Sequence, residues 1–183
     1  MENLDLNKIL NRSEIEKSIE KIIANFSINN NTKKGIYIYG DNGIGKTKFI
    51  YNLLKKNNYD ILYFDNSIIR NKNLIETICS NNLSNKNIYS MLCNDDKKIV
   101  IVIDDIDNMN CGDKNGILSL IKLIREKKTK KQKTENVTNN PVICINNRSG
   151  DKKTLELMKV CNVFELKSPT NDQNKEIIDK LFP

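Results

Sequence analysis

GIYIYGDNGIGKTKFIYNLLKK, residues 35–56, changes character in the middle. Gly35 to Tyr39 is a short apolar run of the kind that forms a strand. KFIYNLLKK, at the other end, is predicted to be helical, with the helix starting inside the glycine-rich stretch. Between them, Gly40 to Thr47 spells GDNGIGKT, which fits the pattern GxxxxGK[ST]. The chemistry explains that spelling. Gly40, Gly43 and Gly45 let the backbone wrap around phosphates, where successive peptide N–H groups and a helix N-terminus offer positive potential. Asp41, Asn42 and Ile44 complete the cradle. Lys46 would reach the β- and γ-phosphates, and Thr47 would offer its hydroxyl oxygen to Mg²⁺. A glycine-rich turn that binds nothing is the competing reading, and the strand-to-helix placement argues against it.

The second informative stretch is KIVIVIDDID, where the strand Ile99 to Ile103 ends in two adjacent acids. In a P-loop sheet, the strand bordering the first is expected to carry an acid at its C-terminal end that holds the Mg²⁺ shell. A second acid can orient the attacking water. Asp104 suits the first role and Asp105 the second, with two solvated acids at a helix start as the alternative. Asp107 is read as a surface or helix-start residue.

Alternation of elements continues on both sides. SEIEKSIEKIIANF places Ile15, Ile19, Ile22, Ile23 and Phe26 on one helical face, with Ser13 as a cap and Glu16 three residues later, a capping-box signature. Tyr59 to Asp65 is predicted as a strand. Helical segments are expected over Leu74 to Ser80 and Ile88 to Cys93. NGILSLIKLIREKK repeats Ile117, Leu120, Ile121 and Ile124 at helical spacing. Pro141 to Asn147 (PVICINN) is a fourth strand, KTLELMKVC a short helix, and Val163 to Lys167 a fifth strand. Strands alternating with helices imply an α/β fold: a five-stranded, mostly parallel sheet with helices on both faces, three layers in all.

The 183 residues, 38% of them hydrophobic, suffice for one core with a short appendage. Asn, Lys and Ile dominate and Ala24 is the sole alanine, a bias of AT-rich coding DNA such as that of protozoa and large DNA viruses. The net charge of +7 and pI near 9.1 therefore carry little weight alone as a sign of a polyanionic partner. The absence of histidine excludes His-based metal sites and catalytic dyads. The five cysteines, Cys79, Cys93, Cys111, Cys144 and Cys161, lack CxxC spacing and read as reduced, mostly buried thiols. MENLDLNKIL has no apolar core, so no signal peptide is expected, and no apolar run approaches membrane-spanning length.

The order GDNGIGKT, IVIDDID, PVICINN resembles an AAA+ ATPase. The resemblance places a polar sensor on the fourth strand, at Asn147 in preference to Asn146 by strand register, where it would contact the γ-phosphate or the lytic water. A surface asparagine in an Asn-rich chain is the competing explanation. More particularly, residues 35–169 resemble the ATPase core of the replication factor C large subunit. YFDNSIIR matches that family at Ser67 and Arg70, with Ile68 replacing an acid. GILSLIKLIREKKTK followed by PVICINNR looks like its helix, variable loop and sensor strand, and KVCNVFELKSP resembles the stretch that lacks the small subunits' Ser-Arg-Cys.

The resemblance implies an AAA+ core over residues 35–168, preceded by an N-terminal helix and linker (1–34) and followed by the start of a largely absent lid (169–183). It implies ATP and Mg²⁺ as cofactors. Other clamp-loader-like AAA+ subunits, a sliding clamp and primer-template DNA are the implied partners, at an intracellular, nuclear or viral replication site. Departures are equally specific. The family's second acid is usually Glu, whereas Asp105 is one methylene shorter, and no arginine finger is assignable. A non-hydrolysing structural subunit and a helicase-loader or initiator type of AAA+ protein therefore stay open. A small nucleotide kinase fits less well, since no arginine lid is recognisable. Lys127, Lys128, Lys130, Lys131 and Lys133 could bind DNA phosphates, but no aromatics interleave and a solvated loop explains them as well. Ile44 and Phe49 are read as core rather than as adenine contacts.

Overall fold

A computed structural model describes residues 6–26, 33–65, 97–106, 116–125, 140–147 and 151–181. The predicted helices at 74–80 and 88–93, Ser67, Ile68 and Arg70, Asp107, the lysine run 127–133, and Cys79, Cys93 and Cys111 lie outside the described residues.

The described elements are α1 (Leu6–Ile9), α2 (Ser13–Asn25), β1 (Gly35–Tyr39), α3 (Lys46–Lys56), β2 (Asp60–Phe64), β3 (Ile99–Ile103), α4 (Gly116–Ile124), β4 (Val142–Asn146), α5 (Lys152–Val160), β5 (Cys161–Glu165) and α6 (Asn171–Leu181). All five strands are parallel, in the order β2-β3-β4-β1-β5. The inner strands β3 (IVIVI) and β4 (VICIN) are buried along their whole length, as a parallel sheet covered on both faces requires.

Because successive strand residues point to opposite faces, each strand feeds two cores. Tyr37, Ile101, Ile103, Val142 and Cys144 face one side, where Ile117, Leu120, Leu123 and Ile124 of α4 and Leu157 of α5 cover them. Ile36, Ile38, Val100, Val102, Ile143 and Ile145 face the other, under Ile19 and Ile23 of α2 and Phe49, Ile50, Leu53 and Leu54 of α3. Burying each such aliphatic side chain stabilises the fold by about 1.5–3 kcal/mol. The three-layer α/β expectation holds, and Phe49 is a core residue as read.

Three expectations are corrected. The acid-bearing strand β3 does not border β1, because β4 lies between them. The fifth strand starts at Cys161, two residues before its expected start at Val163, since its pairing with β1 begins at Gly35↔Cys161. No capping box forms at Ser13. Arg12 is the N-cap residue and makes no side-chain cap bond. Glu16 instead turns inward and accepts hydrogen bonds from Asn7 Nδ2 (3.2 Å) and Lys56 Nζ (2.8 Å). A tertiary ion pair with α3 outcompetes the local cap.

Gly35 has a packing role in β1. A Cβ there would stand 2.5 Å from Cys161 Sγ and 2.7 Å from Ile124 Cγ2, so the thiol of β5 occupies the volume that a side chain would need. Both described cysteines, Cys144 and Cys161, are free and buried. No helix among the described residues is long and apolar enough to cross a membrane.

Candidate nucleotide-binding site

Parallel strands collect their C-terminal ends at one edge, and the chain leaves the sheet there from β1, β3 and β4 into the three motifs. Register aligns them: Tyr39 is level with Asn146, and Ile103 with Cys144. Gly40, Asp104 and Asn147 are therefore the first residues past neighbouring strand ends.

The loop from Gly40 to Gly45 is shaped by its glycines. A Cβ on Gly40 would overlap the Leu166 carbonyl oxygen, which approaches because Leu166 N–H extends the β5 ladder to Tyr39 O at 2.8 Å. Gly45, the residue before α3, has φ 83°, a left-handed conformation that side-chain-bearing residues rarely adopt, and Gly43 has φ 79°. A Cβ at either of these two would meet no atom within 4 Å, so the loop borders open space at both glycines.

Lys46, the first residue of α3, is 8% exposed and folds back over this loop. Its Nζ donates to Gly40 O (3.1 Å), Asp41 O (2.8 Å) and Asn147 Oδ1 (2.9 Å). Thr47 Oγ1 donates to Asp104 Oδ2 at 2.6 Å, across the end of β4. The structure thus brings together two hydrogen-bonded pairs, Lys46 with Asn147 and Thr47 with Asp104, built on the first two residues of α3. Asn146 is separate: fully buried, it donates to Tyr37 Oη at 2.5 Å, and its Oδ1 accepts the Asn147 N–H at 2.9 Å. Asn146 aims Asn147, and Asn147 faces Lys46.

Asp104 is 7% exposed, whereas Asp105 points to solvent. Asp105 takes φ 52°, a left-handed conformation that Asp tolerates better than most residues. Its N–H donates to Asp104 Oδ1 at 2.9 Å, and Ile106 then turns straight into the core. That sharp turn leaves Asp105 exposed between two buried residues, Asp104 and Ile106.

Three contributors escaped sequence reasoning. Tyr63 Oη, from the edge strand β2, donates to Asp104 Oδ2 at 2.7 Å. Burial, the hydrogen bond to Asp104 and the charges of Asp104, Asp65 and Asp105 push the Tyr63 phenol well above its ordinary range, so it keeps its proton and remains a donor. Arg12, 5% exposed, donates from Nη2 to Ile44 O at 2.9 Å and lies 5.9 Å from the centre of the Phe49 ring. Burial lowers its pKa from the ordinary arginine value. Ser168 Oγ donates to Asp41 Oδ2 at 2.5 Å, tying the loop to the segment between β5 and α6.

The donor set suits a small hard cation. Among the described residues no group of three or more His, Cys, Asp or Glu side chains could hold a metal by itself. One hydroxyl beside one carboxylate, next to a glycine-rich loop, matches the way Mg²⁺ is held by one or two protein oxygens plus substrate phosphates. Thr47 and Asp104 would hold it, and the ion would neutralise phosphate charge.

The strand order and this loop define the class as a P-loop protein of AAA+ architecture. Residues 15–134 match the family model of the P-loop containing dynein motor region, an AAA family, and the chain belongs to that family. It is similar to the replication factor C large subunit of Methanococcus aeolicus, with 27% identity over 88% of this chain and 29% of that protein. Replication factor C subunit 1 of Saccharomyces cerevisiae is 27% identical over 72% of this chain and 15% of its own length, and that of Arabidopsis thaliana 28% identical over 78% and 15%. The chain thus spans less than a third of these relatives. A solved structure of Caenorhabditis elegans PCH-2 superposes with a TM-score of 0.55 over 98% of this chain and 51% of that one; at 12% identity the likeness is one of fold.

Proposed function

We propose that the chain is the ATP-binding core of a clamp-loader-like subunit that works with other AAA+ subunits, a sliding clamp and primer-template DNA. The observation that carries this reading is the convergence of Lys46, Thr47, Asp104 and Asn147 from three separate segments onto one open cradle. The likeness to replication factor C large subunits along most of the chain supports the choice of assembly. The choice of ATP over GTP rests on that likeness.

In this reading the peptide N–H groups of Gly40 to Gly45 and the N-terminus of α3 bind the phosphates. Lys46 exchanges its carbonyl and amide partners for phosphate oxygens. Asn147, released from Lys46, is then free to face the terminal phosphate or the lytic water. Asp105 orients that water. Mg²⁺, when bound, supplies charge neutralisation at the β- and γ-phosphates. The likeness to replication factor C supports the proposed assembly and clamp loading, and with them residence at an intracellular replication site, nuclear or viral.

The test is retention of labelled ATP by the purified chain, then capture of a sliding clamp and turnover with neighbouring subunits and primed DNA. ATP retention lost in Lys46→Ala, with clamp capture dependent on ATP, is the expected result. Retention unchanged by Lys46→Ala overturns the nucleotide reading, and capture of a replicative helicase instead of a clamp overturns the clamp-loader reading.

One observation favours a second outcome, a subunit that binds ATP without hydrolysing it. Asp105 is short, outward-facing and held by a left-handed backbone. Nucleotide retained without turnover, even with partners and DNA present, would establish that outcome.

A further inference from the structure

We propose that Tyr63 is a positioning residue for Asp104: its phenol fixes the carboxylate in the orientation that a divalent cation on the bound nucleotide requires. The inference rests on the nucleotide reading above and adds to it a residue outside the glycine-rich loop, the strand acids and the sensor.

Three donors converge on this carboxylate. Oδ2 accepts from Thr47 Oγ1 at 2.6 Å and from Tyr63 Oη at 2.7 Å, and Oδ1 accepts from Asp105 N–H at 2.9 Å. An ionised carboxylate offers about four acceptor directions. These three donors fill most of them. The two hydroxyls reach Oδ2 from different elements, Thr47 from α3 and Tyr63 from β2. Together they remove the carboxylate's freedom to rotate. They also commit the Thr47 proton to Asp104, which leaves the oxygen lone pairs of Thr47 for the cation.

The chemistry of the third group matters. A lysine or arginine at position 63 would hold Asp104 equally well but would cancel the charge that the cation needs. A phenol is a neutral donor and leaves that charge in place. The ring itself is not buried to fill the core: Tyr63 is 41% exposed, and it appears in neither apolar cluster. An exposed tyrosine whose one polar atom is pinned to a nearly buried acid gives up side-chain freedom for the hydrogen bond and little else.

The experiment compares wild type, Tyr63→Phe, Tyr63→Leu and Asp104→Ala by titration with a fluorescent ATP analogue, first in EDTA and then across a Mg²⁺ series. In EDTA, Tyr63→Phe is expected to bind as wild type does, because the loop and Lys46 act without the cation. Its half-maximal Mg²⁺ concentration should rise about tenfold, the scale of one lost hydrogen bond to a charged group. Tyr63→Leu should show the same rise, which assigns the effect to the hydroxyl, and both variants should melt cooperatively within a few degrees of wild type. Asp104→Ala should lose the Mg²⁺ enhancement altogether. A wild-type Mg²⁺ midpoint in Tyr63→Phe, with the enhancement lost in Asp104→Ala, overturns the inference alone. A wild-type chain whose analogue affinity ignores Mg²⁺ overturns the nucleotide reading and this inference with it.

Discussion

Lys46 Nζ lies 2.9 Å from Oδ1 of Asn147, a residue 101 positions further along the chain. The pairing follows from the sheet: β1 and β4 are hydrogen-bonded neighbours, and the loop after β1 returns α3 above the end of β4. With Gly40 and Asp41 carbonyls on its other two donors, the ammonium is fully occupied before any phosphate arrives. In the proposed function, nucleotide binding would be an exchange of partners around this buried ammonium.

Lys46→Ala removes a side chain that joins the loop to Asn147, the residue just past β4. Its affinity for ATP should fall by about tenfold to a hundredfold, the worth of a charge-assisted hydrogen bond. Equilibrium binding checks this, with the far-ultraviolet spectrum expected to be unchanged. Asn147→Ala should weaken binding less and depress turnover more.

Asp105 combines an exposed carboxylate with φ 52°. Asp105→Asn keeps the tolerated backbone conformation and should leave stability and ATP affinity within about 0.5 kcal/mol of wild type, while lowering any turnover measured with partner subunits. Asp105→Gly should raise unfolding stability by about 1 kcal/mol, because it relieves the left-handed strain. Urea denaturation and single-turnover assays separate the two effects.

The loop glycines should differ in their tolerance of alanine. Gly40→Ala drives a Cβ into the Leu166 carbonyl and the tip of Ile44, and should destabilise the fold by about 2–3 kcal/mol. Gly43→Ala meets only open space and bears the backbone term of φ 79°, about 1–2 kcal/mol. Chemical denaturation of the two variants gives that order, Gly40→Ala the weaker.

Cys144 titrates well above the ordinary thiol range because of its hydrogen bond to Cys161, its complete burial and the charge of Cys161. The native state therefore keeps a proton that the unfolded chain releases. The associated stability is present in full below the unfolded thiol's pKa, about 8.5, and is lost as pH rises above it toward the folded value. Between about pH 8 and pH 10, unfolding free energy should fall more steeply in wild type than in Cys144→Ser. Alkylation at mildly alkaline pH should spare Cys144 until the chain is unfolded.

What could be read from the sequence was whatever local spacing records. GxxxxGKT carries its own geometry, and the largely apolar runs GIYIY, IVIVI and VICI announce buried parallel strands. Register alone sufficed to separate the inward Asn146 from Asn147. Strand order is a long-range property, and the expectation that β3 borders β1 failed there. Ser13 and Glu16 satisfied a local capping pattern, yet Glu16 had Asn7 and Lys56 as better partners. Tyr63, Arg12 and Ser168 are residues of ordinary type in no motif. For Tyr63 the usable signal was a tyrosine near the C-terminal end of the strand beside the acid-bearing one, which becomes visible only once the sheet is assembled.

The empty place at Gly35, filled by the sulfur of Cys161, has a genetic corollary. Neither residue can be enlarged while the other stays as it is, although each lies far from the other in the chain. A methyl group at 35 needs room from both Cys161 and Ile124, so a substitution there is coupled to positions on two other elements, and the three codons constrain one another.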